Sequence, residues 1–149
     1  MKSLFSKNDT DELISRINSL KADSKPLWGE MNVSQMLAHC TVLLKATVGE
    51  IVVKGNFFMQ LIGRIFKNKI IYKSEIKKNT PTSKEFVVND ERNFEEEKNL
   101  LISYLKKFPG QSKEIITKNP HPFFGKLSPE DYDYLQYKHV DHHLRQFGV

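Results

Sequence analysis

Five histidines and one cysteine are the side chains of this 149-residue sequence best suited to metal or nucleophilic chemistry. His139 and His143 lie four residues apart in KHVDHHLRQFGV, so on a helix they stand one above the other and both can reach one divalent ion. At about 100° per residue, with His139 at zero, His143 lies about 40° away, and Tyr132, Leu135, Gln136 and Gln146 fall within about 60°. Asp133, Tyr134, Tyr137, Asp141 and Arg145 point the other way. His142, about 60° to the other side, also reaches inward, so helical geometry leaves the partner of His139 open between His142 and His143. A histidine-rich last helix also complements its own macrodipole, so the pair needs a third ligand to carry a metal argument.

That third imidazole is His39. In VSQMLAHCTVLLKATV it occupies the middle of an apolar stripe, with Gln35, Met36, Val42, Leu43 and Ala46 within about 60°. An unpaired imidazole there costs about 1–3 kcal/mol of desolvation. Three neutral nitrogens leave one coordination position open, the pattern of a reactive rather than a structural site. Imidazole suits Zn, Ni, Fe or Cu, and an oxygen-rich Ca or Mg site is not indicated. The chain has no Gly-rich phosphate loop, Cys-x-x-Cys or nucleophile elbow. Cys40 lies about 100° around the helix from His39, which favours core packing.

The elements that position these residues are helical. NDTDELISRINSL over 8–20 has Leu13, Ile14, Ile17 and Leu20 at helical spacing. Asn32 caps the helix that carries His39, with Gln35 at the capping-box position, and this helix runs to about Gly49. A third long helix begins at Asn89 or Asp90, has its acidic residues at the start, and stops before Pro109-Gly110. Ser128, Pro129, Glu130 and Asp131 open the last helix, which continues through Phe147. Between the second and third long helices, NFFMQLIGRIF predicts a short helix near 57–66. Its apolar stripe is expected to cover the core, with a lid, a dimer contact or a membrane-surface element as the alternatives. His121, bracketed by Pro120 and Pro122, marks a fixed turn.

Length and composition fit one domain spanning 1–149: 39% hydrophobic and 28% charged residues are ordinary for a soluble globular chain. No run reaches the roughly 20 apolar residues of a membrane span, no signal peptide is evident, and the lone cysteine fits a reducing cytoplasm. The net charge of +5 is local. Between Ile51 and Thr80, Lys54, Arg64, Lys67, Lys69, Lys73, Lys77 and Lys78 face only Glu75. Seven cations less one anion give +6, leaving −1 for the rest, so a coating for nucleic acid is not expected.

WGEMNxxQMLAHC at 28–40, HPFFGKLSPE at 121–130 and KHVDHHLRQFGV at 138–149, with PTSxEF and DERNF near 81–94, resemble the DinB-like superfamily. The resemblance implies an all-α four-helix bundle, with a short extra helix here between the second and third long helices, often dimeric, holding a divalent metal with three histidines. Position by position the ligands would be His39, His139 and His143, so the family pattern selects His143 over His142, with Gln146 following at the H-x-x-Q spacing. Some relatives are transferases or isomerases that use a low-molecular-weight thiol. The expectation is therefore a metal-dependent transferase, isomerase or hydrolase-like enzyme using Zn or Ni, or else Fe or Mn. Trp28, Gln35, Tyr132 and Gln146 would line the pocket for a small-molecule substrate. The rival readings are a non-catalytic metal-binding or sensing module, and a membrane-surface or interaction protein using residues 51–80.

Overall fold

The computed structural model describes residues 1–80 and 82–149, and among them the chain is all-helical. Five α-helices follow in order: α1 (Lys7–Ser19), α2 (Val33–Thr47), α3 (Phe57–Asn68), α4 (Phe94–Leu105) and α5 (Pro129–Gln146). A π-helical turn (Lys69–Lys73) extends α3, and short 3-10 turns occupy Lys84–Phe86 and Lys113–Ile115.

The helix starts are chemically marked. Asn32 accepts from the Gln35 N–H while the Gln35 side chain accepts from the Asn32 N–H, a reciprocal capping box at α2. Ser128 and Asp131 make the same exchange at α5, with Pro129 in the first turn. The start of α4 differs from the sequence reading. Asn93 rather than Asn89 or Asp90 is the cap, accepting from the Glu96 N–H, which places Glu95, Glu96 and Glu97 in the first turn beside the exposed N–H groups.

Both α1 and α2 pack against α4 and α5. Leu13 and Ile17 of α1, Met36, Leu37 and Leu44 of α2, Leu101 and Leu105 of α4, and Val140 and Leu144 of α5 share one buried cluster. Cys40 is part of it, as its position on α2 predicts. The chain start is tied to α5 through buried Asp133, which accepts from the Ser3 hydroxyl at 2.6 Å and the Leu4 N–H at 2.7 Å.

The segment carrying α3 is attached differently. Gly63 faces the Phe123 backbone so closely that a Cβ there would lie 2.0 Å from the Phe123 carbonyl oxygen. On the same side Gln60 donates to the His121 carbonyl at 3.5 Å, and Lys67 pairs with Asp131 at 2.9 Å. Tyr72 donates to Asp131 at 2.6 Å, and the Lys138 ammonium donates to the carbonyls of Ile70, Ile71 and Ser74 at 2.8, 2.5 and 2.8 Å. The narrow, polar side of α3 therefore faces inward, and Phe57, Phe58, Leu61 and Ile65 face outward. This overturns the expectation that the apolar stripe of 57–66 covers the core. Among the described residues no helix is long and apolar enough to cross a membrane.

Candidate metal centre

His39 enters from the middle of α2 and His139 and His143 from successive turns of α5, two helices packed together. The three Nε2 atoms converge: that of His139 lies 3.1 Å from His39 Nε2 and 3.2 Å from His143 Nε2. One ring nitrogen from each of the three histidines falls within 4.8 Å of the other two. Three nitrogens bound at 2.0–2.1 Å to one tetrahedral ion stand about 3.3 Å apart, so the cluster has the dimensions of a ligand set.

The partners of the outer nitrogens fix the tautomers. His39 Nδ1 lies 2.7 Å from the Phe86 carbonyl oxygen, which can only accept, so Nδ1 carries the proton and Nε2 presents a lone pair. His143 Nδ1 lies 2.8 Å from Gln146 Oε1. The Gln146 amide is oriented by its own donation to the Trp28 carbonyl at 2.6 Å, so its oxygen accepts from His143 and leaves the His143 Nε2 lone pair inward. Two lone pairs are thus aimed at His139 Nε2, which could donate to only one of them. His139 Nδ1 is buried without a partner among the described residues. A divalent cation at the convergence would satisfy all three inner nitrogens at once.

Burial holds these rings neutral, the form a metal binds. It pulls His39 below its ordinary range against the opposing bond to the Phe86 carbonyl. Burial, then His143 and His39 facing it, holds His139 well below the usual imidazole value. Burial, with His39 nearby, lowers His143 to about 3.

The other expected site residues fall into three places. Gln146 orients His143, and Trp28 supports Gln146 through its carbonyl. Gly29 makes that contact feasible: it has φ +80°, and a Cβ would stand 2.5 Å from Gln146 Nε2. The Trp28 ring lies beside His142, with centroids 5.8 Å apart, so His142 borders the cluster outside the converging set. Gln35 is engaged at the start of α2, in the capping box and with the Asp90 carbonyl at 3.3 Å. Tyr132 donates to the Asn119 carbonyl at 3.0 Å and packs near His121.

His121 is not one of the cluster. Its Nδ1 accepts from the N–H groups of Phe123 at 3.1 Å and Phe124 at 3.2 Å, closing a turn also pinned by the His121–Gly125 bridge. A cavity of about 20 Å³ lies between this turn and the C-terminal part of α2, lined in part by Thr47, Phe86, His121, Tyr132 and Gln136 and by none of the three clustered histidines. Sequence reasoning missed the Phe86 carbonyl, a backbone group without a residue signature, and Gln136, whose Oε1 is buried without a partner among the described residues. The place of Gln136 one turn before His139 on the histidine face was the available signal for it.

No curated protein and no solved structure matches the chain. One family model matches residues 2–148, nearly the whole length, and the chain belongs to that family, described as Protein of unknown function (DUF1569).

Proposed function

We propose that this protein is a DinB-like four-helix-bundle protein holding one divalent transition metal on His39, His139 and His143. The single observation behind this reading is the convergence of three Nε2 atoms, those of buried His39 and His143 and of half-buried His139, two of them left with inward lone pairs by their outer partners. Zinc or nickel fits an all-imidazole set best, and iron is the next choice. Such an ion supplies Lewis acidity, which turns a thiol or a water into a nucleophile at neutral pH.

The chain's own groups prepare that chemistry. The Phe86 carbonyl and Gln146 Oε1 hold the N–H of His39 and His143 outward, fixing ring orientation and raising ligand basicity. His142 and Trp28 border the cluster on the side of Gln146. The reaction class we favour is group transfer or isomerisation with a low-molecular-weight thiol. A second reading, a metal-binding or sensing module without catalysis, is supported by the cavity at the His121 turn, which holds about one water and is lined by none of the three histidines.

Elemental analysis of protein purified without an affinity tag, followed by a thiol-transfer screen of the metal-loaded form, tests both readings. One ion per chain with thiol-dependent turnover supports the enzyme. One ion without turnover across the screen supports the module. No ion retained or taken up contradicts the metal centre itself.

A further inference from the structure

The metal centre makes no use of α3, whose orientation demands its own explanation. Phe57 is 73% exposed, Phe58 72% and Ile65 73%, and Leu61, Ile62 and Phe66 are each about half exposed. With Gly63 directed at Phe123, the directions of Phe58, Leu61 and Ile65 fall within about 40° of the opposite side of the helix. Folding ordinarily buries such a stripe, and an apolar face this continuous marks an interaction surface.

The charges around it indicate the partner. Lys54, Arg64, Lys69 and Lys73 are exposed and make no ion pair among the described residues. Lys54 precedes α3, Lys73 follows it, and Arg64 and Lys69 lie about 80° and 60° to either side of the outward direction. A second copy docked on this face would bring two such cationic rims together. An anionic lipid surface instead offers a hydrocarbon boundary for the phenylalanines and isoleucine, and phosphates for the lysines and arginine. The inward side is fixed by Gly63, Gln60 and Lys67, so α3 can present its outer face without unfolding from the body.

We propose that α3 is a membrane-surface anchor that lies in the headgroup boundary of an anionic bilayer, with Phe57, Phe58, Leu61 and Ile65 inserted and Lys54, Arg64, Lys69 and Lys73 on the lipid phosphates. The anchor is independent of the metal reading, because none of these residues touches the histidines.

Co-sedimentation of the full chain with phosphatidylcholine vesicles, with and without about 30% phosphatidylserine, tests this. The parent should bind the anionic vesicles, lose binding as salt is raised, and leave the neutral vesicles largely unbound. The double substitution Phe58→Ser with Ile65→Ser should weaken binding about tenfold or more while helix content and metal content stay at the parent's level. The charge reversal Lys69→Glu with Lys73→Glu, which leaves the apolar face intact, should weaken it as well. Absence of anionic-vesicle binding overturns the anchor, as does salt-insensitive binding to both vesicle types. A parent of dimeric mass in light scattering that Phe58→Ser with Ile65→Ser converts to a monomer would overturn it in favour of a second copy.

Discussion

The face that α2 and α5 turn toward each other buries His39, Gln136, His143 and Gln146, whereas α3 turns Phe57, Phe58, Leu61 and Ile65 to the outside. Both regions depart from the ordinary pattern, and the departures have different structural support. The buried polar face is bound into the fold, with the Phe86 carbonyl, Gln146 and the Trp28 carbonyl holding the rings. The exposed apolar face has no such partner, and α3 is held from behind by a glycine contact, an ion pair and hydrogen bonds. Local rules fail where a site or a surface requires it, and at these two places the fold alone gives no reason for the residues chosen.

The largest effect expected from this contrast is on acidification of the ion-free protein. His121 and His143 are lowered to about 4 and about 3 in the folded chain from an ordinary 6.5, chiefly by burial. As pH falls below that ordinary value the unfolded chain takes up protons first, so stability is full above it and declines toward the folded values. Denaturant midpoints measured from about pH 7 down to about pH 4 should fall steadily, and a flat or rising profile contradicts neutral buried rings.

Core and α3 should then separate cleanly. Leu37→Ala, at a fully buried position on α2, should cost about 2–5 kcal/mol. Ile65→Ser, on the outward face of α3, should stay within about 0.5 kcal/mol. Urea titrations of the two variants check this, and equal losses would mean that α3 packs inward in solution.

Gln146→Leu should weaken metal affinity about 10- to 100-fold by freeing the His143 ring, with the ion still bound at high concentration. Competition against a chelator of known affinity reads this directly. Unchanged affinity would remove Gln146 from the account.

The smallest stability loss expected of a structural contact is at Lys67. Lys67→Met removes one of the groups holding Asp131, leaving the Tyr72 hydroxyl and the Ser128 N–H, for a loss of about 1–2 kcal/mol. Lys69→Gln, with no ion-pair partner among the described residues, should change the midpoint negligibly.

Much of the three-histidine geometry was readable because helical phase is a strong signal. His39 in an apolar stripe and His139 with His143 one turn apart need only the 3.6-residue period to be brought face to face. Ser128-Pro129 and Asn32 with Gln35 set the starts of α5 and α2 for equally local reasons. Periodicity reveals that a stripe exists, not which way it faces, and this is why α3 was expected to cover the core. Gly63, Gln60 and Lys67 recur on one side of α3, and that narrow polar side was the available sign that it faces inward. Asn93 is followed three residues later by Glu96, a helix-start signature that Asn89 and Asp90 lack, so the true start of α4 was locally marked as well. The role of the Phe86 carbonyl lies in tertiary structure that no residue type announces.

The central claim is tested most directly by metal content per chain after saturation and dialysis, in the parent and four single alanine variants made without an affinity tag. One ion per chain is expected in the parent and in His142→Ala, whose ring lies beside Trp28 outside the converging set. Loss of the tightly bound ion is expected in His39→Ala, His139→Ala and His143→Ala, whose Nε2 atoms converge. A parent that takes up no ion, or a His143→Ala variant that keeps it while His142→Ala does not, would contradict the account.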